Sequence, residues 1–131
     1  MGSKAKGPFT RRDLAEMRDA IEFASLYYRP IRGDFDTRPD TYPERFQAFL
    51  EANRKRVVLW GIENRRLMFE GRATEQRKTA EHFRAHPGIY GDATPEMIAR
   101  FEGLASESTK EADFYAGLVA RVEAHGIPHP L

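Results

Sequence analysis

Residues 41–71, TYPERFQAFLEANRKRVVLWGIENRRLMFEG, decide how this chain reads. Phe46, Leu50, Asn53, Val57, Trp60, Asn64 and Leu67 follow a four-three repeat, the spacing of a helical seam, with Phe49 and Met68 widening it. On the other side, Val58, Ile62 and Phe69 fall within about 40° of one another at 100° per residue, with Leu59 farther round. A helix on the rim of a small bundle needs one apolar face. A helix with two is covered from two sides, and the sequence leaves open a second chain as one of the covers.

The ends of this helix are also marked. Thr41 and Glu44 form a Thr-x-x-Glu capping box, and Pro43 is tolerated in the first turn. Gly71 reads as a C-cap or a kink.

On the N-terminal side, Thr10 is a good N-cap, with Asp13 in the first turn and Phe9 and Leu14 at the spacing of a hydrophobic staple. Leu14, Met17, Ile21, Ala24 and Tyr28 then mark one face of a first helix, which Pro30 ends. Residues 30–40 form a loop of alternating charge around Phe35, long enough to be a candidate functional segment. Beyond Gly71, a short charged third helix is expected from Thr74 to Ala85, with Ala80 and Phe83 inward, ended by His86-Pro87-Gly88. Ile89 and Tyr90 are apolar residues in the loop that follows. Thr94-Pro95-Glu96 opens a fourth helix as N-cap, Pro at the first position and acid in the first turn. Its seam is Ile98, Phe101, Ala105, Ser108, Ala112, Tyr115, Val119 and Val122, with a small middle that admits close approach of another helix. Gly126 ends it, and Pro128 and Pro130 keep the tail extended.

No strand pattern appears. The sequence predicts an all-α fold: an antiparallel four-helix bundle with two long central helices, about 41–70 and 95–125, and two shorter ones. At 131 residues one domain is expected, with residues 1–8 as a flexible basic lead-in rather than a secretory signal and 126–131 as an extended tail. No apolar run approaches the ~20 residues of a membrane span. A soluble, cytoplasmic protein is the expectation.

The absence of cysteine excludes disulfides, thiolate metal sites and thiol catalysis. Four histidines form two pairs, His82 with His86 and His125 with His129, each spaced by four. That spacing suits a metal only on continuous helix. Pro87 follows the first pair and Gly126 interrupts the second, so solvated terminal histidines are expected. Asp34, Asp36 and Asp40 lie in one loop, but Arg32 and Arg38 compete as counter-ions and no calcium-loop pattern is met. No nucleophile elbow and no phosphate loop is present. Neither a catalytic residue, a metal site nor a cofactor is predicted.

Charge is uneven. Residues 1–84 hold eighteen Lys or Arg against thirteen Asp or Glu, while residues 85–131 hold three against seven. The basic stretch comprises Arg54, Lys55, Arg56, Arg65, Arg66, Arg72, Arg77, Lys78 and Arg84. Arg54 and Arg65 are eleven residues apart and share one helix face. Three readings compete. The cations pair within the protein or across subunits, notably with the fourth-helix acids Glu102, Glu107, Glu111, Asp113 and Glu123; they form a solvated face; or they track the phosphates of a nucleic acid.

The functional expectation is a non-enzymatic interaction protein, a small subunit or adaptor that self-associates or docks on a larger assembly through the second helix. Val58, Ile62 and Phe69 are its apolar anchors, with Lys55, Arg65 and Arg66 around them. The seam asparagines Asn53 and Asn64 either fix the register of such an interface or face water at its edge. The alternative is a nucleic-acid-binding protein using residues 54–84, chiefly Arg54, Lys55, Arg65, Arg66, Arg72, Arg77 and Lys78. A third reading is a small ligand-binding or enzymatic bundle with a pocket at Trp60, Tyr27, Tyr28 and Tyr115.

Overall fold

The structure, a computed structural model, describes residues 6–28 and 42–131. The loop at 30–40 and the Thr41 cap lie outside the described residues. Within them the protein is helical, with three α-helices: α1 (Arg11–Tyr27), α2 (Tyr42–Ala85) and α3 (Thr94–His125). The four-helix expectation is corrected here. The segment 74–85 is not a separate helix but the continuation of α2, which runs for 44 residues straight through Gly71. A mid-helix glycine costs only about 1 kcal/mol, too little to end a helix that goes on to bury Ala73, Ala80 and Phe83. The only break in α2's helical geometry is at Asn53, whose φ of −134° and ψ of 32° make a kink. A 3₁₀ turn, Gly91–Ala93, leads into α3.

The helix starts repay comparison. Thr10 caps α1 as expected: its hydroxyl accepts from the Asp13 N–H at 3.1 Å, and the Asp13 carboxylate accepts from the Thr10 N–H at 2.8 Å. Phe9 and Leu14, the staple pair, are both buried. Thr94 does not act as the expected cap. It already has helical φ and ψ, and its hydroxyl donates instead to the Pro87 carbonyl at 2.8 Å, tying the loop to the helix start. At the far end, Gly126 takes a φ of +77° and its N–H donates to the Val122 carbonyl at 2.8 Å, a left-handed C-cap that closes α3.

The chain forms two compact units: residues 1–64 with 117–131, and residues 65–116. In the first, Ala24 and Tyr28 of α1 form a core cluster with Phe46, Leu50 and Val57 of α2, packed by Ile21, Phe49 and Trp60. One contact sets how close these helices come. A Cβ placed on Gly61 would lie 2.6 Å from the Ala20 Cβ and 2.8 Å from the Ala20 carbonyl oxygen, so only glycine fits at the crossing. The last turns of α3 join this unit through buried Leu118 and Val122, and through Arg121, which donates to both carboxylate oxygens of buried Asp13 at 2.7 and 3.1 Å.

The second unit is a hairpin of α2 and α3. Phe69, Ala73, Gln76, Ala80 and Phe83 on α2 repeat with four-three spacing, opposite Phe101, Ala105, Ser108, Ala112 and Tyr115 on α3. Phe69 stacks on Tyr115 with ring centroids 5.7 Å apart, and Phe83 meets Phe101 at the same separation, closing the two ends of the seam. Between them the seam is narrow, built of alanines and one polar layer. Ser108 Oγ lies 2.7 Å from the Gln76 side-chain amide. With that amide turned, its nitrogen also reaches the Leu104 carbonyl at 3.0 Å.

Candidate interaction surface

The predicted anchors separate on inspection. Val58 and Ile62 are 0 and 1% exposed within the monomer, so they cannot be surface anchors. The reason is intrachain cover on both faces of α2. The cluster with α1 takes the first face, and the Lys55–Glu123 pair, 3.5 Å, brings α3 alongside the second. Phe69 is half-buried and stacked on Tyr115 of α3. The two-faced helix is therefore explained within one chain.

The seam asparagines have a local role. Asn53 Nδ2 donates to the Phe49 carbonyl at 3.1 Å, and Asn64 Nδ2 to the Trp60 carbonyl at 2.8 Å. Both amides bond back to their own helix, four residues upstream, and at Asn53 this bond sits at the kink. Back-bonding of this kind competes with the helical ladder and accompanies bends. The polar layer that does join two helices in the second unit is Gln76 with Ser108, and Gln76 was not singled out in the sequence. Its signal is present only when the four-three spacing is continued past Gly71.

The basic stretch is largely neutralised from within. Arg54 lies 3.7 Å from Glu51, Lys78 3.5 Å from Glu75, and Arg66 pairs with Glu70. Two pairs reach the acids of α3: Lys55 with Glu123, and Arg84 with Glu102 and also with Glu81. The Glu102 hydrogen bond, first among several causes, holds the Arg84 guanidinium above its ordinary pKa. Arg72 lies over the Phe69 ring at 5.1 Å. Arg77 donates to the Thr109 hydroxyl, a neutral partner. Arg56, Arg65, Arg72 and Arg77 have no carboxylate partner among the described residues. Exposed pairs of this sort contribute little to stability, about 0–1 kcal/mol each. Their effect is to lower the positive potential of the face.

Two depressions lie along this stretch. One of about 520 Å³ in the second unit has buried Ala80 and Ala105 at its base and Arg77, Arg84, Glu102 and Lys110 at its rim. Another of about 450 Å³ sits at the kink, lined by Asn53, Arg54, Lys55 and Leu59.

The aromatic residues of the third reading fall in different units. Trp60 packs on Phe23 and Tyr28 at 5.4 and 4.9 Å, ring against ring, while Tyr115 belongs to the second unit. Among the described residues no group of three or more His, Asp or Glu side chains gathers to hold a metal. No helix of the described residues is long and apolar enough to cross a membrane.

Among the described residues, five of the seven exposed large hydrophobics lie in the second unit, the other two being Leu26 and Tyr27 at the end of α1. Leu67 and Met68 on α2 are 56 and 43% exposed, and Leu104 on α3 and Ile89 and Tyr90 in the connecting loop are also open. Gly71 and Gly103, both within helices, have nothing within 4 Å of the position a Cβ would take. No family model matches the sequence, and neither the curated proteins nor the solved structures yield a match.

Proposed function

We propose that this chain is a non-enzymatic helical interaction protein, a small subunit or adaptor whose docking surface lies on the two-helix unit rather than at Val58 and Ile62. The observation that carries this reading is the exposure of Leu67, Met68 and Leu104 on a unit that holds two helices among the described residues. The open glycines Gly71 and Gly103 support it, because each costs helix stability and neither would meet a described residue within 4 Å of an added Cβ. A second copy of the chain is the partner to test first. Sedimentation velocity across a concentration series should give a mass above the monomer. Leu67→Glu with Met68→Glu should return it to the monomer while leaving helix content unchanged. A wild-type chain that stays monomeric at every concentration removes self-association from the reading.

The nucleic-acid reading keeps one supporting observation, the four arginines Arg56, Arg65, Arg72 and Arg77 without carboxylate partners among the described residues. It predicts retardation of DNA or RNA at low salt that weakens steeply as salt rises. An absence of retardation at low salt ends it.

A further inference from the structure

We propose that His82 and His86 form a two-imidazole site for a late first-row divalent cation, Cu²⁺, Ni²⁺ or Zn²⁺, at the C-terminal end of α2. The spacing of four puts both rings on one helix face only if the helix reaches the second of them, and Pro87 argues against that in the sequence. The structure carries the helix far enough: α2 extends to Ala85, and the His86 N–H donates to the His82 carbonyl at 3.0 Å. Proline at 87 restricts its predecessor's geometry but leaves this bond intact.

The two imidazole centroids are 4.7 Å apart, with the ring planes inclined at 46°. With metal–nitrogen bonds of about 2.0–2.1 Å, a cation shared by two imidazoles holds their centroids roughly 4.5–5.2 Å apart for bond angles between square and tetrahedral. The observed separation falls inside that interval, so the rings need only turn to present their nitrogens. Phe83 lies against His82 in an edge contact at 6.1 Å, which limits the freedom of that ring. Both histidines are exposed, so a hydrated cation reaches them. The site also lies at the helix end where the carbonyl dipoles favour positive charge.

Glu81, the adjacent acid, is tied to Arg84. No third His, Asp or Glu completes the pair among the described residues. The remaining coordination positions go to water, which makes this an open site. Imidazole donors select copper, nickel and zinc over magnesium and calcium. The other pair supplies an internal control: Gly126, with φ +77°, breaks the helix between His125 and His129, and the His125 ring is turned onto Phe9.

The test is calorimetric titration of the tag-free full chain with Cu²⁺, Ni²⁺, Zn²⁺ and Mg²⁺ salts. One Cu²⁺ or Ni²⁺ per chain is expected, copper the tighter, with no response to Mg²⁺. His82→Asn and His86→Asn should each weaken binding roughly tenfold or more, at least what loss of an outer-shell partner costs. His125→Asn with His129→Asn should leave it unchanged. Electron spin resonance of the Cu²⁺ complex should report two coordinated nitrogens. The absence of saturable binding overturns the proposal. So does binding that survives in the His82→Asn/His86→Asn double variant, or that is lost on changing His125 and His129. Circular dichroism of each variant confirms that helix content is retained, as the exposure of both side chains requires.

Discussion

The two units are built from the same pair of long helices yet hold together by different means. The first gathers three helices around large side chains and adds one buried ion pair, Asp13 with Arg121. The second has two helices, a seam of alanines, aromatic pairs at its ends and a hydrogen-bonded polar layer between. Buried apolar area and a desolvated charge pair fix the first unit. A seam of small side chains and one polar layer fix the second, while the closest backbone approach, Gly61 on Ala20, belongs to the first. The difference teaches that continuity of a helix does not imply continuity of what stabilises it.

The sharpest way to break this contrast is at Asp13. Asp13→Ala removes the α1 capping box and leaves Arg121 without its carboxylate. Because Arg121 is one-third exposed, the loss should fall at the low end of the range for a broken buried pair, about 3 kcal/mol, measured by urea unfolding. Next is the glycine comparison. Gly61→Ala puts a methyl group inside the contact distance of the Ala20 backbone and should destabilise by about 2 kcal/mol. Third, Ser108→Ala removes the Ser108 hydroxyl from the half-buried Gln76 amide and should cost about 1 kcal/mol. Gln76→Leu with Ser108→Ala should recover most of that stability, and amide exchange in residues 65–116 would show whether the hairpin keeps a single alignment. The smallest effect has the opposite sign: Gly71→Ala, where a Cβ meets open space, should stabilise by about 0.5–1 kcal/mol. The same substitution at two glycines ten residues apart on one helix should therefore move stability in opposite directions.

What the sequence disclosed was local chemistry. Thr10 and Asp13 declare the start of α1 because a cap is a contact between near neighbours, and Gly126 declares the end of α3 for the same reason. The all-helical class followed from periodicity. The length of α2 did not, because a glycine's intrinsic cost is read directly while the burial of Ala73, Ala80 and Phe83 beyond it is not. Nor did Gly61 announce itself, since its meaning depends on Ala20, forty-one residues away, lying directly opposite. The anchors Val58 and Ile62 were visible as an apolar stripe. A stripe cannot say whether its cover comes from the same chain. At the His82–His86 pair, Pro87 reads as a helix stop, yet it constrains its predecessor's backbone without forbidding the last helical bond.

Arg121 meets a carboxylate 108 positions earlier in the chain. During synthesis from the N-terminus, α1 can form early, but the partner that neutralises Asp13 is made near the end. The hairpin from 65 to 116 is contiguous and rich in near-neighbour contacts, the kind of topology that assembles fast. The middle of the chain can therefore close on its own contacts, whereas Asp13 gains its cationic partner only after Arg121 has been made.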